Sequence, residues 1–436
     1  MATAGTVLLA SNPAQAQQED WFKMAPEDER AACVPIAEGG SSLNQQPWAK
    51  NFIGLDQAQQ YNRGRFANGD PVTIAVIDSG VAASRSDVFG SRLLPGYDAW
   101  DENIQGHCDS NGHGTAVAAI AAGARLGDDD FIGVAPEANI LPIRVFTGDS
   151  KEGGDIEKSN VVAASIRAAV DHDADVINVS SAMVPSTELE TAVAYAIENG
   201  VVVVAASGNE NKNMDDTKIE PDEQTFYPAN YPGVIAVGAH NQEGNWYAQT
   251  NFGNNLDLLA PGVEVAFPFA GGEWLDDSGT SFAAPFVAGA AALLKGEYGA
   301  EATPAWIQQR LQETAIHPPN TFNIYQGHGV LNVAAALTAP YDPAEVTADT
   351  VSEAPTDEAS STAPIVDEDR PSIAGLDPDF DPLAFEKAAA WASVGGSIVL
   401  ITLVLVLRKI IPKGRKRGWR PGERKPDNLP VKVEAE

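Results

Sequence analysis

Cysteine is nearly absent from this chain: its 436 residues include two, Cys33 and Cys108. With so few thiols and only six histidines, no Cys/His cluster has the spacing of a metal site, so neither a metal nor a cofactor is expected. Basic residues are scarce as well. Lys and Arg number 28 against 60 Asp and Glu, a formal charge of −32. That deficit excludes a nucleic-acid binder, because phosphate contacts need clustered cations. No internal repeat is present, which excludes solenoid and propeller architectures. The remaining composition, 44% apolar and 20% charged, is that of a mostly globular chain long enough for one large domain plus accessory segments.

The charge is unevenly placed. Residues 341–383 hold twelve Asp and Glu against one basic residue, Arg370, among many Pro, Ser, Thr and Ala. Such a segment buries too little surface to offset its ordering entropy, so residues 341–387 are expected to form a solvated, self-repelling linker. Residues 388–407 then run without a charge, and 408–425 carry nine basic residues against the single acid Glu423. At about 1.5 Å per residue, a helix over 388–407 spans a hydrocarbon core of roughly 30 Å. The basic residues that follow put the 408–436 tail in the cytoplasm and the rest of the chain outside, a single-pass topology in the cell membrane. Near the start, Thr6-Val7-Leu8-Leu9-Ala10 followed by Ala14-Gln15-Ala16 reads as the end of a signal peptide, residues 1–16, without its usual basic region. In an exported chain the even cysteine count is compatible with one Cys33–Cys108 disulfide, or with two unpaired buried thiols.

Residues 72–77 form a near-continuous apolar, β-branched run, the pattern of a strand buried on both faces. Similar runs recur at 140–145, 176–179, 201–206 and 234–237, and helical patterns at 115–124, 161–171 and 187–199 lie between several of them. This alternation predicts an α/β fold: a mostly parallel sheet with helices on both faces, spanning residues 71–340. Ligands in such folds bind outside the carboxyl ends of the strands. A last helix is expected to begin at Thr303 as N-cap, with Pro304 in its first turn. Residues 17–70 show no strong period and are expected to lie on the domain as an extension. The acidic segment 215–223 reads as a solvated surface loop rather than a calcium site.

Three segments combine the residues of nucleophilic catalysis. Val76-Ile77-Asp78-Ser79-Gly80 puts an acid at the carboxyl end of a buried strand. Gly112-His113-Gly114-Thr115 puts an imidazole at the start of an Ala-rich helix, where the helix dipole disfavours the imidazolium and a carboxylate partner would restore it. Ser278-Gly279-Thr280-Ser281-Phe282-Ala283-Ala284-Pro285 opens a helix so rich in Ala and Gly that it must pack closely against its neighbours. Taken singly, each has an ordinary structural explanation: a turn, a structural histidine, an N-cap.

Together, in the order Asp, His, Ser, these segments resemble the signature blocks of the subtilisin-like serine proteases over roughly residues 72–337. Ala205-Ala206-Ser207-Gly208-Asn209 and Gly327-His328-Gly329-Val330-Leu331-Asn332-Val333 resemble further blocks of the same family. The resemblance implies a catalytic triad of Asp78, His113 and Ser281, with Asn209 and the Ser281 backbone N–H as the oxyanion hole. It implies a substrate-binding cleft formed by Ser180, Ser181 and Ala182 together with Ala206, Ser207 and Gly208. The family usually carries Leu-Gly-Gly where this chain has Ser181-Ala182-Met183, and often glycine where it has Phe226. A bulky Phe226 at the pocket base implies a preference for small side chains such as Ala before the cleaved bond.

Accessory segments resemble one branch, the mycosins, membrane-anchored subtilases of type VII secretion systems. They are Pro47-Trp48-Ala49-Lys50-Asn51-Phe52, Cys108-Asp109-Ser110-Asn111-Gly112-His113, the polar Ser180-Ser181 pair, the acidic linker and the basic tail. That resemblance implies an N-terminal extension wrapping the protease domain, secreted proteins as substrates and the type VII secretion membrane complex as a partner. A general cell-surface protease and a mainly structural component of the secretion complex remain as alternatives.

Overall fold

A computed structural model describes residues 48–100, 103–126, 131–146, 156–272 and 274–340. All of them belong to the first of two compact units, Met1–Ile373; the second, Ala374–Glu436, lies outside the described residues. So do Cys33, the 1–16 segment, the acidic linker and the 388–407 apolar run. Among the described residues no helix is long and apolar enough to cross a membrane.

Seven strands form one parallel sheet. They are β1 (Thr73–Asp78), β2 (Tyr97–Asp98), β3 (Asn139–Arg144), β4 (Val176–Val179), β5 (Val202–Ala206), β6 (Ile235–His240) and β7 (Leu258–Pro261), in the order β2-β3-β1-β4-β5-β6-β7. Each of the five expected runs is a strand: 176–179 has the expected bounds, and the others differ by one to three residues at an end. The two outer strands were not foreseen: β2 has two residues, and β7 is a short Leu-Leu-Ala-Pro segment. A separate antiparallel pair, β8 (Val265–Pro268) and β9 (Trp274–Asp277), leads directly into the Ser281 segment.

Alternation along the strands divides the core in two. Ile74, Val76, Val176, Val202, Val204, Ile235 and Val237 face one cluster, which also holds the apolar residues of α3 (His113–Ala122) and α6 (Thr280–Tyr298). Ala75, Ile77, Ile177, Val179, Val203 and Ala205 face the other, which holds those of α4 (Ile156–Asp171) and α5 (Thr187–Glu198). Successive strand residues point to opposite faces, so both faces need an apolar cover. Helices α3 and α6 approach each other very closely. A Cβ on Gly289 of α6 would lie 2.5 Å from Val134 Cβ and 2.9 Å from the Ala121 carbonyl oxygen, so no larger side chain fits without movement. The small-residue pattern read from the sequence therefore reflects direct helix contact. Helix α7 (Pro304–Glu313) starts as expected, with Thr303 Oγ1 accepting the Trp306 N–H at 3.2 Å.

The extension is described from Trp48 onward. Two short helices, α1 (Trp48–Phe52) and α2 (Leu55–Ala58), lie against the domain near the last helix, α8 (Val333–Thr338). The Ile53 carbonyl accepts the Val333 N–H at 3.0 Å, and Gln59 Nε2 donates to the Gly133 and Val134 carbonyls at 2.8 and 3.0 Å. Trp48 and Phe52 pack on the His240 ring, with centroids 5.6 and 4.7 Å away.

His240 is 0% exposed and its Nε2 has no partner among the described residues. Burial pushes its pKa down to about 4, although the Asn241 carbonyl at 2.7 Å favours the protonated ring. The unfolded chain takes up this proton as pH falls through 6.5, whereas the folded chain resists to about 4. Folded stability therefore falls across that window, by about 3 kcal/mol. Asp257 works in the opposite sense: burial raises its carboxyl to about 6 despite donors from Ala236, Gln308 and Gln312, so its contribution weakens as pH rises. His240→Phe removes only the first effect. Its Tm relative to the parent should increase steadily as pH is lowered from about 6.5 to about 4; a difference that stays constant with pH would refute the assignment.

Candidate active site

Strands β1, β4 and β5 end side by side, and the residues at and just beyond their carboxyl ends are Asp78, Ser180 and Ser207. Asp78 is 1% exposed. Its Oδ1 accepts from His113 Nδ1 at 2.8 Å and from the Ser79 N–H at 2.7 Å, while Oδ2 is buried without a partner among the described residues. The bond to Nδ1 orients the ring and leaves Nε2 turned away from the carboxylate, available to a second group.

His113 is the first residue of α3, after Gly112 at φ 91°. Gly112 has no side chain to cap the helix, and Asp109 does so from outside. Its Oδ1 accepts the Gly112 N–H at 2.6 Å, the Asn111 N–H at 3.1 Å and the Ser79 hydroxyl at 3.0 Å. Its Oδ2 accepts the Thr115 N–H at 2.8 Å and the Thr115 hydroxyl at 2.7 Å. Ser79 Oγ in turn accepts the Gly114 N–H at 2.9 Å. Asp109 and Ser79 thus join the orphan N–H groups of the helix start to the end of β1. Burial raises the Asp109 carboxyl; the bonds from Thr115 and Gly112 oppose this and the Asp78 charge adds to it.

Burial pulls the His113 imidazole down, but the charge and hydrogen bond of Asp78, with the charges of Asp109 and Asp277, together hold the ring above the ordinary histidine value. Its side chain is 28% exposed, so solvent or a ligand can reach it. Two aromatic contacts set its surroundings. Phe282, the residue after Ser281, lies 5.3 Å from the ring and stacks on Phe267 of β8 at 5.0 Å. Phe269 fills the space where a Cβ on Gly112 would stand, and Arg85 donates to the Phe269 carbonyl.

Ser281 is the second residue of α6. A Cβ built on Gly279 would lie 3.3 Å from Ser281 Oγ and 3.5 Å from Asn209 Nδ2, so hydroxyl and amide flank one point. Asn209 Oδ1 accepts the Thr280 N–H at 2.9 Å, which turns Nδ2 outward as a donor. Ser281 Oγ makes no hydrogen bond among the described residues. Pro285 sits inside α6 and lacks the N–H that would bond to the Ser281 carbonyl four residues earlier. The Ser180 hydroxyl takes that place at 2.8 Å, itself accepting from Asn178 Nδ2 at 2.9 Å. Ser180 is therefore tied directly to the backbone of Ser281.

The remaining residues anticipated at the site are placed as follows. Ser181 and Ala182 follow Ser180, and Ala206 ends β5; the hydroxyls of Ser181 and Ser207 are buried without partners among the described residues. Gly208 donates to the Thr280 hydroxyl at 3.2 Å. Phe226 is 1% exposed and packs with Met214, Leu256, Leu259 and Val330, while Asn251 Nδ2 and, farther off, the Thr225 carbonyl lie against Gly208. Cys108 is buried two residues beyond Gly106, its carbonyl against Gly80. Sequence reasoning missed Asp109, Ser79, Thr280 and Asn251. Asn251, 0% exposed, accepts from the Glu210 and Lys212 N–H groups at 3.1 and 2.8 Å and donates to the Ser207 carbonyl at 2.9 Å. An Asp three residues before a Gly-capped helix was a visible signal for Asp109; nothing local marked Asn251.

A family model described as the Subtilase family matches residues 69–332. Subtilisin NAT from Bacillus subtilis subsp. natto is 35% identical over 276 residues, 62% of this chain and 66% of that protein. The chain thus spans just under two thirds of that relative's length. Mycosin-1 from Mycobacterium tuberculosis is 33% identical over 368 residues, covering 74% of this chain and 80% of that protein. Among solved structures, the serine protease MycP1, an essential component of the type VII (ESX-1) secretion system, aligns with TM-score 0.59 and 30% identity, covering 71% of this chain and 93% of that one.

The charge environment of the ring is open to direct measurement. Asp277, at the end of β9, is one of the groups that raise His113, so Asp277→Asn should lower the imidazole pKa. An NMR titration of the His113 ring protons reads this without any assay; an unmoved or raised midpoint would refute the coupling.

Proposed function

Because the chain belongs to the subtilase family, we propose that it is a serine endopeptidase, with Ser281 as nucleophile, His113 as general base and Asp78 as the group that orients the imidazole. The observation that carries this reading is the 2.8 Å bond from His113 Nδ1 to Asp78, together with Ser281 Oγ and Asn209 Nδ2 flanking one point at the start of α6.

Ser281 Oγ attacks the scissile carbonyl carbon as its proton passes to His113 Nε2. The carbonyl oxygen becomes an oxyanion and accepts from Asn209 Nδ2 and the Ser281 N–H. The imidazolium, stabilised by Asp78, then gives the proton to the leaving amine, the C–N bond breaks and an acyl-enzyme remains. Water repeats the sequence: His113 takes its proton, the hydroxide adds to the acyl carbon, and Ser281 leaves with the proton returned. Asn209 is already aimed by the Thr280 N–H, so oxyanion stabilisation requires no reorganisation at the moment of attack. The raised imidazole makes His113 a stronger base, and it must be neutral to act. Activity is therefore expected to appear only as pH rises past the ordinary histidine range.

Similarity to Mycosin-1 and to MycP1 supports a finer assignment. In it the protease domain lies outside the cytoplasm, residues 388–407 anchor it to the cell membrane, and it processes secreted proteins alongside a type VII secretion complex. The extension 17–70 wraps the domain in this reading; the packing of Trp48 and Phe52 on His240 supports that for the part described. A Cys33–Cys108 disulfide tying the extension near His113 belongs to the same proposal, supported by the burial of Cys108 and the absence of a free thiol there.

Ser281→Ala should abolish hydrolysis of a peptide that the parent cleaves. Asn209→Ala should lower kcat by roughly 10²–10³ with less effect on KM, the signature of a donor used in the transition state. An Asn209→Ala enzyme within about threefold of the parent would remove Asn209 from the oxyanion hole. In cells, mass spectrometry of secreted proteins from parent and Ser281→Ala strains should show at least one cleavage lost. Secretion that requires the chain while no cleavage changes would favour a mainly structural role.

A further inference from the structure

Ser281 stands where α6 cannot complete its own hydrogen bonds. In a regular helix the Ser281 carbonyl would accept the N–H of residue 285, but that residue is Pro285. A proline has no N–H, and its ring crowds the carbonyl four residues before it. The peptide between Ser281 and Phe282 therefore lacks the bond that normally fixes its tilt, at the residue whose side chain must be aimed.

The missing donor comes from another element. Ser180, 3% exposed just beyond β4, gives its hydroxyl proton to the Ser281 carbonyl at 2.8 Å. Asn178, 0% exposed within β4, sets the direction of that bond. Its Nδ2 donates to Ser180 Oγ at 2.9 Å, and a hydroxyl that accepts there keeps its one proton for Ser281. On the other side of Ser281, Asn209 Oδ1 holds the Thr280 N–H at 2.9 Å. Ser281 is thus gripped from both sides, by the residue after β4 and by the loop after β5. The peptide that Ser180 holds also leads into Phe282, whose ring lies 5.3 Å from His113.

We propose that the Ser180 side chain is a positioning residue for the nucleophile: it replaces the helical hydrogen bond that Pro285 removes, and so fixes the direction of Ser281 Oγ. The inference rests on the proteolytic reading above. The resemblance to subtilisin-like proteases puts Ser180 in the substrate cleft; the geometry commits its hydroxyl to the chain's own backbone. The two roles separate kinetically. A group that only binds substrate alters KM, whereas one that aims the attacking atom alters kcat.

The test is a double-mutant cycle on the purified full chain, assayed with a peptide that the parent cleaves. Ser180→Ala should lower kcat about tenfold, the scale of a carbonyl left without its donor, with KM within about twofold of the parent. Pro285→Ala returns an N–H to the helix at the place where it is missing. In that background Ser180→Ala should lower kcat by less than about threefold, so the two substitutions are not additive. An unchanged kcat in Ser180→Ala, or an equal loss in both backgrounds, would overturn the proposal. If Ser180→Ala does not fold, the double variant decides. Folded and within about threefold of the Pro285→Ala kcat, it supports the proposal; any other outcome overturns it. Cleavage by the parent, lost in Ser281→Ala, tests the proteolytic reading separately. A parent that cleaves no peptide overturns both readings; cleavage with an additive cycle overturns this one alone.

Discussion

The hydrogen bond between Asp78 and His113 exists only because a helix starts where a buried strand stops, and that junction is the constraint on which the site depends. An imidazole at a helix N-terminus sits in an unfavourable field for its charged form. Here two carboxylates reverse that preference. Asp78 contacts the ring directly, and Asp109 binds the N–H groups whose partial charges create the field. Ser79 links them, its N–H on Asp78 and its hydroxyl on Asp109. The arrangement makes helix start, strand end and imidazole orientation one cooperative unit.

Ser281 depends on that unit through packing rather than through a bond of its own. Helix α6 reaches its position because Gly289 allows contact with Val134 and the Ala121 carbonyl of α3. At its start, Pro285 leaves the Ser281 carbonyl without a helical partner, and Ser180 from the neighbouring strand end supplies one. Ser281 is thereby held by the same strand edge that holds Asp78. Asn209 reaches it from β5, fixed by the Thr280 N–H. Three strands and two helix starts therefore converge on one point, which is what the carboxyl edge of a parallel sheet offers geometrically.

Much of this was legible in the chain itself. The strands β1, β3, β4, β5 and β6 are visible because burial on both faces demands long β-branched runs. The helices α3 and α6 are visible because close packing favours runs of Ala and Gly in them. The strands that escaped notice, β2 and β7, are too short to carry a pattern, and proline ends the second. The segments that carry Asp78, His113, Ser281 and Asn209 stand out because glycine and small residues flank them.

What the sequence by itself determined, then, is the α/β class, the segments that meet at the candidate site and the uneven charge of the chain. These are local properties, set by side-chain volume, backbone freedom and ionisation. Tertiary structure alone decided which group supports which. Asp109 becomes a helix cap only when Thr115 and Gly112 turn their N–H groups toward it, and Asn251 braces the loop beyond Asn209 from some 40 positions away. Phe226 packs into an apolar cluster while the Thr225 hydroxyl turns to Glu210 and Lys212, because the direction of a side chain depends on the path of the loop that carries it. Contacts across such separations are written in no short motif; they follow from where the folded chain brings its segments together.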